Sequence, residues 1–280
     1  MPTAIDLVAL TDRLVTLPAV YFRVKRIIDD PNGSIGQLAA AMTTDPAMTA
    51  RVLRVVNSSF FGYRGRIETV TRALNILGMQ QVHDVVLAWA VTSAFIGVRS
   101  AIVRMDAFWR ASVARAIASR QLARHAGFVD SERLFVEGLL SDIGHLVMYV
   151  RVPELAVKAR ETSHRTDAPL HEVECQLVGC NYAEVGAALV SAWGLPDAFE
   201  EAIRCQIEPN SAVNHRLEAA ILHVARRCAE PDAAVAKGPS DPLMLKNLDL
   251  DDGALEDLRL QVAQELGTVV AAYFPHLAAA

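Results

Sequence analysis

Helix start and stop signals recur along this chain, and no stretch alternates apolar and polar residues with the period of two that a half-buried strand needs. Ser34 and Gln37 form a Ser-x-x-Gln capping box, in which each side chain can satisfy an orphaned amide of the first helical turn. Asp45-Pro46 reads as an N-cap followed by a first-turn proline, opening a helix through Met48, Val52 and Val55 to Asn57. Asp106 is expected to cap a helix with Phe108, Val113, Ala116, Ile117 and Leu122 facing inward and Gly127 closing it. Asn181 and Glu184 repeat the cap before Val185, Leu189 and Trp193, with Gly194 and Pro196 as stops. A final amphipathic helix is expected from about Ala254 to Phe274. The expected fold class is all-α.

With 280 residues, 52% of them hydrophobic, the chain can fill one large core or two modest ones. The apolar run gives way to a polar connection between Gly97 and Met105, which predicts two lobes, residues 1–98 and 99–280. Glu230 to Gly253 is rich in Pro, Asp and Gly and reads as a long loop. The formal charge of −5 supplies no field to attract nucleic acid or anionic lipid. Four cysteines scattered through a chain of this size suit a reducing compartment. The N-terminus shows no basic segment leading into an apolar one, so a cytoplasmic location is expected. The longest apolar stretch, Val85 to Val98, falls short of the roughly 20 residues that cross a bilayer and reads as a buried helix.

Phosphate-binding glycine loops and a Gly-x-Ser-x-Gly elbow are absent. Cys175 and Cys180, with His171 one turn earlier, have zinc-like spacing, but no second tight pair completes four ligands; scattered thiols are the expectation. The single His-Asp dipeptide, His83-Asp84, invites a hydrolase reading. Adjacent side chains on a helix point about 100° apart, so the pair alone grips no metal. The expectation is a first-turn position, with Asp84 favouring the helix dipole and His83 solvated.

A set of motifs then carries a family resemblance. Leu17-Pro18 precedes a segment from Ala41 through Asp45-Pro46 and Arg51 to Asn57-Ser58 and Gly62. Ala73 to Gly78, Phe108-Trp109, Glu137-Gly138 to Asp142-Ile143-Gly144, Ala183 to Gly186-Ala187, and Trp193 to Pro196 follow in order. In this order the chain resembles an HDOD domain, the HD-related output domain of bacterial signalling, over about residues 10 to 228. The resemblance implies a helical lobe packed on an HD-like helical bundle. Asn57 is expected to end a helix and tie a turn, and Trp193 to fill its lobe.

The resemblance also places the metal ligands of active HD proteins. Their first histidine corresponds to Ala111, their His-Asp pair to Ser141-Asp142, a further histidine to Tyr182, a histidine pair to the region of Cys205-Gln206, and a final aspartate to Arg226. Asp142 alone remains, with His145 one turn on, and a catalytic metal needs about three protein ligands. Arg226 is expected to pair with Asp142. The implied function is a non-catalytic signalling module that contacts a protein or a small ligand, with no catalytic residues, metal or cofactor.

Two other readings compete. One is a metal-dependent phosphohydrolase or phosphodiesterase. The other is helix-turn-helix DNA binding through Ser34–Met42 and Pro46–Asn57, for which Arg51 and Arg54 are a thin phosphate footprint, so nucleic acid is not the expected partner. A cyclic dinucleotide is conceivable through Arg104, Arg110, Arg115, Arg120 and Arg124, but their spacing spreads them around a helix and reads as solvated surface.

Overall fold

Several helix starts are set by side chains of Ser34, Asp45, Thr69, Asp130 and Asn181 that accept from amides of the first turn. The structure is a computed structural model describing residues 1–9, 16–58, 61–63, 65–95, 98, 102–229, 248 and 250–274. Among these, all regular structure is helical. The loop expected from Glu230 to Gly253 lies almost wholly outside the described residues.

The chain divides into two compact units, one of Val15–Val98 with Ala263–Ala280, the other of Met1–Leu14 with Arg99–Val262. The first holds α2 (Ala19–Asp29), α3 (Ile35–Thr43), α4 (Pro46–Val56), α5 (Val70–Leu77) and α6 (Met79–Ala94). The second holds α1 (Ala4–Ala9), α7 (Met105–His125), α8 (Ser131–Leu140), α9 (Ile143–Arg151), α10 (Pro153–Thr166), α11 (Leu170–Leu177), α12 (Tyr182–Ala192), α13 (Asp197–Cys205) and α14 (Arg216–Ala229). The last helix, α15 (Asp252–Tyr273), gives its first half to the second unit and its second half to the first.

The two ends of the chain thus depart from the expected division into 1–98 and 99–280. A six-residue helix cannot hold itself together in water, and α1 buries Leu7 and Val8 while packing on α12 and α9. At the other end, Arg51 of α4 donates to the Tyr273 carbonyl that closes α15.

In the first unit, the Ser34–Gln37 box is reciprocal, Gln37 N to Ser34 Oγ at 3.3 Å and Ser34 N to Gln37 Oε1 at 3.0 Å. Asp45 Oδ1 accepts from Met48 N at 3.0 Å, and Pro46 takes the first helical position. Asn57 ends α4: its amide donates to Leu53 O and Ile67 O, and its Oδ1 accepts from Ile67 N, each at 2.7 Å. Those bonds pin the connection that leads to α5. Gly78 joins α5 to α6 at φ 85°, a left-handed conformation in which a β-carbon is strained. Every residue of α6 from Val82 to Thr92 is buried, the pattern of a helix with no wet face.

In the second unit, Asn181 and Glu184 form the cap of α12, and Trp193 and Trp109 are buried. Asp106 is a correction. The helix begins at Met105 behind Arg104, and Asp106 sits inside the first turn, where Arg104 Nε donates to it at 3.1 Å. A neighbouring guanidinium has claimed the carboxylate that was expected to cap.

Glycines set two helix crossings of this unit. A β-carbon on Gly138 of α8 would fall 2.9 Å from Ala116 Cα and Arg115 O of α7. One on Gly144 of α9 would fall 2.0 Å from Tyr182 O and 2.6 Å from Gly186 N of α12. Both approaches need a bare backbone, and both bring together the groups described next.

Candidate functional site

Arg115, Asp142, His145, Glu174, Tyr182 and Arg226 gather from α7, α9, α11, α12 and α14. Ser141 and Asp142 form the two-residue link between α8 and α9, with Ser141 Oγ donating to Gly138 O at 2.8 Å. Gln206 clamps that link from α13, its amide donating to Ser141 O at 2.7 Å and to Ile203 O at 2.9 Å. His223 Nδ1 donates in turn to Gln206 O at 2.9 Å. Asp142 stands at the N-cap position of α9 without capping it.

Its carboxylate instead forms a buried ion pair with Arg115 through Oδ2. Arg115 lies one turn along α7 from Ala111, on the same face of the helix. Asp142 Oδ1 is buried with no hydrogen-bond partner among the described residues. His145 Nδ1 is 3.7 Å from Asp142 Oδ2, and its Nε2 is 3.0 Å from Glu174 Oε1, an ion-pair distance out of hydrogen-bonding alignment. Glu174 Oε2 accepts from Tyr182 N at 3.0 Å, so one carboxylate meets both the imidazole and the first amide of α12.

The His145 ring stacks on two phenols, Tyr182 at 4.3 Å and Tyr149 at 5.7 Å between centroids, each at 14°. Arg226 donates to the Tyr182 hydroxyl at 2.8 Å, and its guanidinium lies 5.4 Å from that ring's centre.

These contacts set the charges. Burial alone would raise the Asp142 pKa, but Arg115, His145 and, more weakly, Arg226 hold the carboxyl well below the usual carboxylate range. Burial presses the His145 imidazole towards neutrality; Tyr149, Glu174 and Asp142 outweigh it and push its pKa up to about 10. Burial pushes the Tyr182 phenol up to about 12. The cluster is therefore a chain of alternating charges in which His145 lies between its two carboxylates.

Arg115, which the sequence reading placed on a solvated surface, is at ion-pair contact with Asp142. Arg226, the partner expected from sequence, lowers the pKa of the same carboxylate and also donates to the Tyr182 hydroxyl at 2.8 Å. Arg120 is also buried, 3.7 Å from Glu132, so two of the five arginines from Arg104 to Arg124 expected at the surface are interior ion-pair members. A signal existed: both arginines sit in the run Ala-Ser-Val-Ala-Arg-Ala-Ile-Ala-Ser-Arg, where small apolar neighbours on every side leave no wet face.

His83 and Asp84 are corrected too. They stand in the second turn of α6, both buried, with His83 Nδ1 3.2 Å and Gln80 Nε2 3.3 Å from Asp84 Oδ1. Arg51 is half-buried and committed to Tyr273, which removes one of the two arginines of the helix-turn-helix reading. Cys175 is exposed and Cys180 buried, and all four cysteines are free thiols. Among the described residues no three His, Cys, Asp or Glu side chains are grouped to hold a metal, and no helix is long and apolar enough to cross a membrane.

Comparison with known proteins agrees with this architecture. A protein of Shewanella amazonensis SB2B that carries a provisional phosphohydrolase name superposes with a TM-score of 0.75 at 25% identity, covering 99% of this chain and 98% of that one. An HDOD domain protein of unknown function from Geobacter sulfurreducens superposes with a TM-score of 0.74 at 19% identity, covering 96% and 97%. An uncharacterized protein of Treponema pallidum (strain Nichols) is 25% identical over 197 residues, which are 69% of this chain and 37% of that protein. The chain thus spans little more than a third of that relative's length. The model of the HDOD domain matches residues 14–209, well over half of the sequence, and the chain belongs to the HDOD domain family.

Proposed function

We propose that this chain is a non-catalytic regulatory module of bacterial signal transduction, working in the cytoplasm by contact with a protein or small ligand. The observation that carries the reading is the ion pair between Arg115 and Asp142. Where the resemblance puts a metal-binding aspartate, this chain has an aspartate neutralised by a guanidinium, with a second, Arg226, close enough to lower its pKa. A divalent cation would have to displace Arg115 and sit beside Arg226, with Ala111 and Tyr182 at two of the ligand positions. This donor set does not fit a metal.

The phosphohydrolase name of the Shewanella relative favours a second reading, metal-dependent hydrolysis. One experiment separates the two: elemental analysis of protein purified without chelator, followed by phosphodiester hydrolysis with manganese or iron. The expected result is substoichiometric metal and no turnover. Stoichiometric metal with turnover abolished by Asp142→Ala would overturn the proposal. Cyclic di-GMP is a ligand to test by calorimetry, and burial of Arg115 and Arg120 predicts heats no larger than dilution.

A further inference from the structure

We propose that the outer face of α10 docks an acidic, amphipathic segment of a partner protein. This rests on the contact-based reading above and assigns it a surface. The face is a groove of about 590 Å³, formed by Ile102 with Val157, Arg160, Glu161, His164 and Arg165. The helical residues recur three, four, seven and eight positions after Val157, so they line one side of α10. All five are exposed, and Val157 leaves an apolar side chain 38% accessible.

Charge selects the occupant. Some cationic side chains of the surface have carboxylate partners, Lys25 with Asp29, Arg104 with Asp106, Arg204 with Glu200 and Arg259 with Glu256, and others, such as Arg26, Arg54 and Arg72, are exposed singly. What marks this face is that three cations gather in one groove. Arg160, His164 and Arg165 have no ion pair among the described residues, although Glu161 shares their groove. A locally cationic groove on a chain of net charge −5 is complementary to acidic side chains and repels basic ones. One bond steadies it: Arg160 Nη1 donates to the Tyr149 hydroxyl at 3.0 Å. That uses one of five guanidinium donors and leaves enough for a bidentate carboxylate.

Shape selects a linear segment. Small-molecule pockets enclose most of their ligand, whereas this groove is open to solvent and built from one helix plus Ile102. Ile102 and Val157 offer an apolar strip between cations, which suits a helix carrying apolar and acidic residues one turn apart. The groove also touches the buried cluster, because the Tyr149 that accepts from Arg160 is stacked on His145.

The test uses the full chain and a fluorescein-labelled synthetic helix of about four turns, with Leu and Glu at i, i+3 and i+4 spacing. Its twin carries Gln for Glu. Anisotropy is expected to show binding of the Glu peptide that weakens with salt, at least about tenfold weaker binding of the Gln twin, and a similar loss for R160E/R165E. Replacing the exposed Arg110 by Glu should leave binding unchanged, with circular dichroism confirming that both variants fold. Equal affinity for the two peptides, full binding by R160E/R165E, or no binding by the unaltered chain would overturn the proposal. So would pyrophosphate bound at Arg160 and Arg165 with the peptide inert, which would assign the groove to a small anion. None of these outcomes bears on metal content or turnover, so the docking surface can fail while the non-catalytic reading stands.

Discussion

Two histidine–aspartate pairs lie buried in this protein, and they are built in opposite ways. His83 and Asp84 are neighbours in the chain and share one turn of α6, Gln80 of the same helix lies 3.3 Å from Asp84 Oδ1, and the Tyr21 ring of α2 lies 5.8 Å from the His83 ring. Asp142 and His145 are held by groups from four other helices, α7, α11, α12 and α14. The pair that looks like a motif in the sequence bonds to its own helix, while the one that looks incomplete is the centre of a network converging from several helices. Adjacency along a helix cannot substitute for convergence across helices, because consecutive side chains diverge.

The sharpest test of that contrast is removal of the cation. Arg115→Met removes the guanidinium that pairs with the buried Asp142 carboxylate, leaving only His145 and Arg226 to offset its charge, and is expected to cost about 3 kcal/mol in urea unfolding. Adding Asp142→Leu should recover much of it. A loss below about 1 kcal/mol for Arg115→Met would break the comparison. Gly144→Ala comes next. A methyl 2.0 Å from Tyr182 O must force α9 off α12, for an expected loss of about 3 kcal/mol and a disturbed stacking of His145 on Tyr182.

The pH dependence follows from His145. Its folded pKa, about 10, lies above the unfolded value near 6.5. Stability from this group is therefore complete below about pH 6.5 and lost as pH rises towards 10, at no more than about 1.4 kcal/mol per pH unit. Unfolding free energies across that window should fall more steeply for the unaltered chain than for His145→Gln, and parallel curves would deny the charge on His145. The depressed Asp142 pKa acts at the other end: its contribution is present above about pH 4 and lost in strong acid. The smallest effect is expected for His83→Gln, about 1 kcal/mol or less, because an amide can keep one hydrogen bond to Asp84.

What the sequence revealed and what it hid divide along the same line. Caps at Ser34, Asp45 and Asn181 bond to amides two or three residues away, so a reader of the chain finds them directly. The Asn57 tie spans only ten residues. Asp106 misled because two local partners competed for it, and Arg104 prevailed over the helix end. His83 and Asp84 misled because Gly78, not a residue nearer to them, starts their helix. The positions matched to HD ligands were legible through the resemblance, including Asp142, Tyr182 and Arg226. Arg115 was not: its partner is 27 positions on, and a crossing that depends on Gly138 joins their helices.

The membership of α1 and of the end of α15 has a practical corollary. Anyone who divides this polypeptide near residue 98 to obtain its halves will strand six residues and their buried Leu7 and Val8 on the wrong fragment. The same cut leaves the carbonyl that receives Arg51 on the opposite piece. Truncation phenotypes obtained in that way would report missing core pieces as though they were missing functions, and co-expression of overlapping fragments is the remedy.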